Sequence, residues 1–493
     1  IYLNEVIPNM KNNDFDFIKA KFEDSQPDIP DSLSKEALKN KIVTNSSFNK
    51  IKVKPRTNHF KYIAAAAACF IVICSVVAAS NSGLFNSNKI TGYKNYNEIN
   101  SVVSTLKRVS LGESGCNESN TVIHKNESGV EFSDTVKANK KHIYYAYHSN
   151  SLTQNKNKVY IFDESDNENK APSSVIDDVA PDNADIEGIY VTDSRLIVNS
   201  STKNSTLTSI YNIENYKNPI LISKFEQSGQ YSDSMIVDNC LYVVSDYAVS
   251  SGDAVPYISF NGKKLRASAE NIVGFKNVKT AVYTVISSVD INSVKQSFDL
   301  KAVLGGSAEI KCDKTHIFIG DYENENKEIM MLNLQSGKFS YASEDEIKKF
   351  VESPFSFVDS SIKRNIYSLG ETYIAIEENL DTAEQKIVLY DKNANPIDEY
   401  KLNNAVASNA LVVNDSKNTF ALPIYFSDSA RRYYGAITFE IINNKISVKN
   451  EYVNNDDKLM YQGHCIFFNE KLYCFDIYDN ENDMNISMFS YAY

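Results

Sequence analysis

The sequence predicts an all-β fold: a seven-bladed β-propeller, preceded by one transmembrane helix and a short cytoplasmic segment. Three observations lead to this prediction. A strand–turn–strand unit recurs about seven times after residue 129, its spacing is about 50 residues, and an uncharged run occupies residues 62–80. Propeller blades have four strands each and repeat every 40–50 residues or so, roughly the spacing seen here. The alternative architecture is an irregular all-β sandwich.

The repeated unit is clearest where three predicted strands follow one another, at 220–225, 234–237 and 241–245. These runs are rich in β-branched and aromatic residues, which favour strands. Asp238 and Asn239 lie between the second and third runs, and both residue types tolerate left-handed backbone angles. The pattern therefore predicts a tight hairpin turn at this dipeptide.

Copies of the strand–turn–strand unit account for most of the chain after residue 129. They lie at 136–144, 189–197, 235–243, 310–318, 366–374, 411–420 and 465–473. Most copies are followed by another strand, and the widest gap holds an insertion around 248–270. The chain ends on the third strand of the last unit, so closure of a ring predicts that a strand within 116–135 pairs with the last blade, which would cover an exposed edge.

The first part of the chain has a different character. Residues 1–61 hold 11 Lys and Arg against 8 Asp and Glu, whereas the rest of the chain holds 40 against 55. The uncharged run that follows is long enough to cross a bilayer, and its basic flank places the N-terminus in the cytoplasm. A cleaved signal peptide and a buried soluble helix are the alternatives to a signal anchor. The predicted domains are a largely flexible cytoplasmic segment, a transmembrane helix, a linker with a short helix and an extracytoplasmic propeller, at 1–61, 62–82, 83–115 and 116–493.

Local patterns add two helices and one cysteine pair. Residues 96–108 form an amphipathic pattern, and Ser343 with Glu346 forms a capping box on a second short helix. The seven Cys are scattered and no CxxC occurs, so neither a disulfide framework nor a zinc site is predicted. Cys465 and Cys474 can face each other across adjacent strands, although small buried hydrophobic side chains are the simpler interpretation.

Residues 129–140 carry a family resemblance. They read Gly-Val-Glu-Phe-Ser-Asp-Thr-Val-Lys-Ala-Asn-Lys, which resembles the signature Gly-Val-Asp-Glu-Ala-Asp-Ile-Val-Lys-Thr-Asp-Gly, with Glu131 and Phe132 in place of two acidic residues. Residues 219–247 and 405–440 are similar to other blades of the same group: bacterial secreted or membrane-anchored proteins with a C-terminal β-propeller, distantly WD-repeat-like and labelled methanol dehydrogenase type. The resemblance implies the fold and an exported, anchored layout, as in a Gram-positive bacterium. It transfers no catalytic residues, because the family has no settled activity.

Sequence motifs for catalysis, metals and cofactors are absent. The six His form neither HExxH nor HxH, and no GxSxG, P-loop or GxGxxG occurs. Trp is absent, which argues against the blades of quinoprotein dehydrogenases with their Trp docking motifs. A net charge of −12 argues against nucleic acid as a partner. We therefore predict no metal, no cofactor and no enzymatic activity.

The functional prediction is a non-enzymatic binding or scaffold module, anchored in the membrane, with a cell-wall or protein ligand. One alternative is a transmembrane signalling protein that uses residues 1–61 to contact a cytoplasmic regulator. The other is an extracytoplasmic hydrolase, which a Ser/His/Asp set at the channel mouth would favour. The candidate ligand-binding residues are Arg431, Arg432 and Tyr433, since Arg beside Tyr rings suits an anionic or aromatic group. The alternative for this pair of Arg is a salt bridge at the rim of the propeller.

Overall fold

A computed structural model describes the chain in a set of ranges between residues 90 and 492. These are 90, 92–109, 121–124, 130–147, 157–164, 171–249, 255–260, 262–276, 278–293, 298–305, 310–320, 329–335, 337–347, 362–402, 405–407, 411–427, 432–454, 459–480 and 483–492. The predicted cytoplasmic segment 1–61 and transmembrane span 62–82 lie outside the described residues, so both stay predictions. Within the described ranges, no helix is long and apolar enough to cross a membrane.

Strands dominate the described residues. Two short helices accompany them, α1 (Tyr96–Thr105) and α2 (Glu344–Ile347). The strands are β1 (Thr121–His124), β2 (Val130–Phe132), β3 (Val136–Ala138), β4 (His142–Tyr147), β5 (Lys158–Asp163), β6 (Ser174–Ile176), β7 (Asp185–Val191), β8 (Arg195–Ser201), β9 (Ser205–Asn212), β10 (Ile220–Ser228), β11 (Gln230–Val237), β12 (Cys240–Ala248), β13 (Tyr257–Phe260), β14 (Lys263–Arg266), β15 (Ile272–Gly274), β16 (Val282–Asp290), β17 (Phe298–Leu304), β18 (Ile310–Cys312), β19 (His316–Gly320), β20 (Ile329–Gln335), β21 (Lys338–Tyr341), β22 (Ile362–Leu369), β23 (Thr372–Asn379), β24 (Gln385–Tyr390), β25 (Pro396–Lys401), β26 (Ala405–Ala407), β27 (Val412–Asn414), β28 (Thr419–Ser427), β29 (Arg432–Ile442), β30 (Lys445–Asn454), β31 (Leu459–Phe468), β32 (Lys471–Asn480) and β33 (Asp483–Ala492).

The described strands form seven sheets, which we number along the chain. Their strand orders are β3-β4-β5-β6, β14-β13-β10-β9-β8-β7, β15-β17-β16-β12-β11-β2, β18-β19-β20-β21, β1-β22-β23-β24-β25, β26-β28-β29-β30 with β27 also on β28, and β31-β32-β33. All seven predicted strand–turn–strand units are present as antiparallel hairpins, one in each sheet. The predicted turn is confirmed, since Asp238 and Asn239 have φ of 48° and 64°.

Apolar side chains fill the spaces between most successive sheets. Leu196 and Val198 of the second sheet pack with Tyr144 and Ile161 of the first, and similar clusters join the second to the third, the third to the fourth, the fifth to the sixth and the sixth to the seventh. The seventh sheet also packs against the first, where Phe475 stacks on Tyr145 with ring centroids 4.9 Å apart. The two ends of this sheet series are therefore in contact.

The insertion after β12 extends a different sheet from the one that it interrupts. The hairpin β13–β14 leaves the third sheet and pairs with β10 of the second, with Phe260 opposite Phe225. The chain between two strands of the third sheet thus adds a hairpin to the second sheet.

The two short helices predicted within the described ranges are present. Helix α1 begins after Asn95, whose side chain accepts a hydrogen bond from the Glu98 N–H at 3.0 Å, and it buries Ile99 and Val103 against the core between the second and third sheets. It ends at Thr105, three residues before the predicted limit. The capping box of α2 is confirmed, because the Ser343 N–H donates to the Glu346 carboxylate at 2.7 Å.

The predicted closure of the last sheet by residues 116–135 is wrong for the strands described there. β1 pairs in parallel with β22 of the fifth sheet, and β2 pairs antiparallel with β11 of the third. The seventh sheet has three described strands, none of them from the N-terminal side. The position of β2 has a physical reason: its Val130 and Phe132 side chains pack into the core between the third and fourth sheets.

Candidate functional site

The edges of several sheets converge on the segment 121–134. This segment pairs with β22 through β1 and with β11 through β2, and Asp134 forms a bridge with Ile189 of β7. These are the first strands of the predicted units in the fifth, third and second sheets. The three strand edges thus border the space beside this one segment.

Polar side chains collect in this space. We call six of them the axial cluster: Ser133, Asp134, Glu187, Tyr231, Asp233 and His464. They come from the segment before β3 and from β7, β11 and β31. Carboxyl, hydroxyl and imidazole groups are thus brought together from positions up to 331 residues apart in the chain.

A hydrogen-bond network fixes the tyrosine side of the cluster. The Tyr231 hydroxyl lies 3.1 Å from Ser133 Oγ and 2.7 Å from Ser234 Oγ. Ser234 Oγ also lies 2.8 Å from the buried Tyr190 hydroxyl and accepts a hydrogen bond from Asn199 Nδ2 at 3.0 Å. Since a hydroxyl has one donor and two acceptor positions, three partners satisfy Ser234 completely.

Two β-bulges orient acidic side chains of the cluster. Glu187 is the extra residue of a bulge in β7, because Ile186 and Gly188 pair with consecutive residues of β8. Its carboxylate accepts a hydrogen bond from Ser201 Oγ. A second bulge lies in β11 between Tyr231 and Asp233. Bulges redirect side chains and are frequent beside functional sites.

Close packing at this site requires a glycine. A Cβ at Gly188 would lie 2.8 Å from Ser133 Cβ, which is shorter than real contacts allow. Gly188 therefore lets residues 133 and 134 approach β7 closely enough for the Asp134–Ile189 bridge to form.

Two carboxyl groups of the third sheet have unusual proton affinity. Burial raises the pKa of Asp233 to about 7, although the Ser234 N–H donates to its Oδ1 at 2.7 Å. Burial also raises the pKa of Asp246 to about 7, against hydrogen bonds from Thr284 Oγ1 at 3.2 Å and from Ser232. In the described residues, no Lys or Arg forms an ion pair with either carboxyl. Desolvation without a cation favours the neutral acid.

The cluster contains Ser, His and Asp, but not the hydrogen bonds of a hydrolytic triad. Burial lowers the pKa of His464, and Asp134 acts in the opposite direction. The Ser133 hydroxyl bonds to Tyr231, while Asp134 Oδ1 accepts from the Thr135 N–H at 2.7 Å.

Another Asp–Thr–His set, away from the axial cluster, also lacks triad geometry. His316 uses the same ring nitrogen, Nδ1, toward both Thr315 and Asp313. A triad needs one ring nitrogen for the nucleophile and the other for the carboxylate. This set is therefore a turn-stabilising arrangement.

The residues predicted from sequence as the ligand site are only partly within the described structure. Arg432 begins β29 opposite Ser427, and Tyr433 pairs with Phe426. Arg431 and the side chains of Arg432 and Tyr433 lie outside what the structure describes. Both the binding hypothesis and the salt-bridge alternative for this site stay predictions.

The axial cluster was not predicted from the sequence. Ser133 and Asp134 belong to the signature-like stretch, and Tyr231 and Asp233 belong to the clearest repeat, but no short spacing connects them. The available signal was a polar start, Gln230 to Ser234, on a strand that is otherwise apolar. In the described residues, no group of three His, Cys, Asp or Glu side chains is placed to hold a metal ion.

Residues 119–361 match a family model described as a beta propeller domain. The match supports a β-propeller family. No curated protein matches the chain.

Among solved structures, a prolyl endopeptidase is 9% identical, with 71% of this chain and 53% of that chain covered and a TM-score of 0.33. The chain thus spans about half of that peptidase. Apo AztD from Citrobacter koseri is 12% identical, with 71% and 98% covered and a TM-score of 0.32. A polysaccharide lyase of family PL25, an ulvan lyase, is 10% identical, with 73% and 93% covered and a TM-score of 0.33. At these values the likenesses indicate neither an activity nor a ligand.

Proposed function

We propose that the chain is a non-enzymatic binding or scaffold module, built as a seven-bladed β-propeller and held outside the cell by a single membrane span. Seven sheets with shared cores, and the contact between the seventh and the first, support the blade count. The signature-like stretch at 129–140 supports the methanol dehydrogenase-type group of exported bacterial propellers. The uncharged run at 62–82, with basic residues before it, supports the anchor and its orientation.

The observation that carries the proposal is the axial cluster. The first strands of three sheets and the segment before β3 present carboxyl, phenol and imidazole groups to one space, and the Ser133 hydroxyl hydrogen-bonds to Tyr231 rather than to a His base. Aromatic rings beside carboxyl groups suit a ligand that carries ammonium groups as well as hydrogen-bonding groups. The acidic balance of residues 62–493 adds long-range attraction for such a ligand. A cell-wall peptide fragment with a free amine has this chemistry.

Calorimetric titration of the full chain in detergent with amine-bearing cell-wall peptides tests the binding proposal. We expect Asp233→Asn to weaken binding about tenfold, because a buried polar contact to a charged group contributes about 1.5–3 kcal/mol. Tyr452→Phe is the matched control, since the Tyr452 hydroxyl donates to the Ala492 carbonyl at 2.7 Å, away from the cluster. Equal losses in both variants, or no binding by the folded wild type, would contradict the proposal.

The orientation of the chain in the membrane can be tested separately. Alkaline phosphatase fused after residue 100 is active only outside the cytoplasm, so an active fusion in a bacterial host is expected. An inactive fusion at normal expression would contradict the orientation without bearing on the axial cluster.

The second candidate function is an extracytoplasmic hydrolase. The presence of Ser133, Asp134 and His464 in one cluster favours it, because ligand binding can tighten hydrogen bonds that are absent in the free protein. Labelling of the full chain with a fluorophosphonate probe separates the two functions. Label lost in Ser133→Ala would establish the hydrolase, whereas an unlabelled chain that binds peptides supports the binding module.

A further inference from the structure

Two cysteines of the last hairpin lie directly opposite each other. Cys465 of β31 pairs with Cys474 of β32 in the antiparallel register, and both thiols are free in this structure. Side chains of directly opposite residues project from the same face of a sheet. Both sulfur atoms therefore lie on one side of the seventh sheet, in its core with the sixth.

The hairpin turn determines which kind of pair they form. Asn469 and Glu470 have φ of 42° and 63°, as in a two-residue type I′ turn. In such a hairpin the closing pair, Phe468 and Lys471, exchanges both backbone hydrogen bonds, and bonded and non-bonded pairs then alternate. Cys465 and Cys474 are the fourth pair from the turn and so form a non-hydrogen-bonded pair, in which the Cα atoms lie about 4.5 Å apart. A disulfide bridges Cα atoms about 4.4–6.8 Å apart.

The surroundings of the pair are apolar and buried. The neighbours across the sheet interface include Ala421 and Ala436, whose side chains are small. Burial raises the pKa of the Cys474 thiol well above its usual value, and the hydrogen bond between the two thiols acts in the same direction. The folded Cys474 thiol is therefore a poor nucleophile, and because both thiols are buried, exchange with an oxidant has to occur while the hairpin is undocked.

We propose that Cys465 and Cys474 form a reversible cross-strand disulfide when the undocked hairpin meets an external disulfide oxidant. One thiolate attacks a sulfur of the oxidant and displaces a thiolate. The second cysteine then attacks the mixed disulfide and releases the other half. Two protons and two electrons leave the cysteine pair, and the oxidant becomes two thiols.

The position of the bond gives it a structural consequence. The seventh sheet packs against the first through Tyr473 and Phe475 and against the sixth through Leu472 and Cys474. Cross-linking β31 to β32 restricts the unfolded hairpin and so stabilises the sheet that brings the two ends of the series together. The oxidised chain should therefore melt about 3 °C higher than the reduced chain.

The test uses the full chain, unfolded in guanidinium and refolded with reduced and oxidised glutathione, then alkylated and digested with trypsin. Cleavage after Lys458 and Lys471 places the two cysteines in separate peptides, 459–471 and 472–493. We expect these peptides to migrate as one species until a reductant is added. The link should persist in Cys240→Ala/Cys312→Ala, whose altered cysteines are buried in other sheets.

Three results would overturn the proposal. These are two separate alkylated peptides, glutathione adducts on either cysteine without a link, and a link from either cysteine to any of the other five. Because the decisive measurement is made on the wild-type chain, it does not depend on the folding of a variant.

Discussion

The third and fifth sheets both bury a carboxylate, but they compensate for it differently. In the fifth sheet, Arg364 Nε donates to Glu377 Oε1 at 2.8 Å, and the Tyr390 hydroxyl donates to the same oxygen. In the third sheet, Asp233 and Asp246 have raised pKa values and, in the described residues, no cationic partner.

The difference separates a structural charge from a titratable one. Burial opposes the charge of Arg364, but the hydrogen bond and charge of Glu377 outweigh this effect and raise the pKa of the guanidinium, so Arg364 stays charged. Asp233 instead stays protonated up to near neutral pH, because burial disfavours its charged form. Groups of this second kind concentrate at functional sites, and Asp233 belongs to the axial cluster.

The largest expected effect is the loss of the paired cation. Arg364→Met leaves Glu377 buried without its closest cationic partner, which should lower the free energy of unfolding by about 3–5 kcal/mol. Chemical denaturation measures this. Lys386→Met is the control, because Lys386 is 38% exposed and lies 3.8 Å from Glu377, and it should cost about 0–1 kcal/mol. Equal costs would show that Arg364 is not the compensating charge, and Arg364→Met/Glu377→Met should recover most of the loss.

The second-largest effect concerns the close packing of Gly188 against Ser133, in the cluster that contains Asp233. Gly188→Ala places a Cβ 2.8 Å from Ser133 Cβ and should lower stability by about 1–3 kcal/mol by pushing residues 133 and 134 away from β7. It should also move the pKa of Asp233 back toward its ordinary value, while the fifth sheet is unaffected.

Adding Ser133→Gly to Gly188→Ala removes the clashing atom and should restore part of the stability. If the double variant is no more stable than Gly188→Ala alone, the contact with Ser133 is not the cause.

The contrast between the hairpins and the axial cluster also shows what the sequence can predict. Each hairpin is encoded locally, by β-branched and aromatic runs around a polar turn such as Asp238-Asn239, so all seven were predictable. The partners of β1 and β2 were not, because they lie more than 100 residues away and are selected by tertiary fit, such as the burial of Val130 and Phe132. The axial cluster depends on those same pairings and on a bulge at Glu187, neither of which has a short-range signature.

A smaller effect comes from the proton on Asp233. An acid whose pKa rises from 3.8 to about 7 on folding binds more protons in the folded state, so stability falls as pH rises from about 4 to about 7 and then levels off. Asp233→Asn removes this loss and should stabilise the chain by about 1 kcal/mol at about pH 8, with little change at about pH 4. Converting the whole pKa shift at 1.36 kcal/mol per unit would give a larger stabilisation, but the carboxyl keeps some solvent contact, which reduces the effect.

Denaturation curves of the wild type and Asp233→Asn across this pH range measure the effect. Asp182→Asn, at an exposed position, should leave the pH profile unchanged. A profile of Asp233→Asn that parallels the wild type would show that another group, Asp246 foremost, carries the dependence.

The smallest effect concerns a carboxylate between these two extremes. Glu131 lies 3.7 Å from Lys137 Nζ, beyond hydrogen-bond distance for this pair, and its side chain is 40% exposed. Burial raises the pKa of Glu131 although Lys137 opposes the shift.

Lys137→Met keeps most of the aliphatic stem and should lower the free energy of unfolding by only about 0–1 kcal/mol near neutral pH. This difference should shrink in high salt. Because Lys137 Nζ also lies 6.0 Å from the Tyr190 ring centroid, Lys137→Arg should retain stability while Lys137→Met does not. A cost for Lys137→Met as large as that of Arg364→Met would mean that distance and burial do not rank the three carboxylates, and the contrast between the third and fifth sheets would then need another cause.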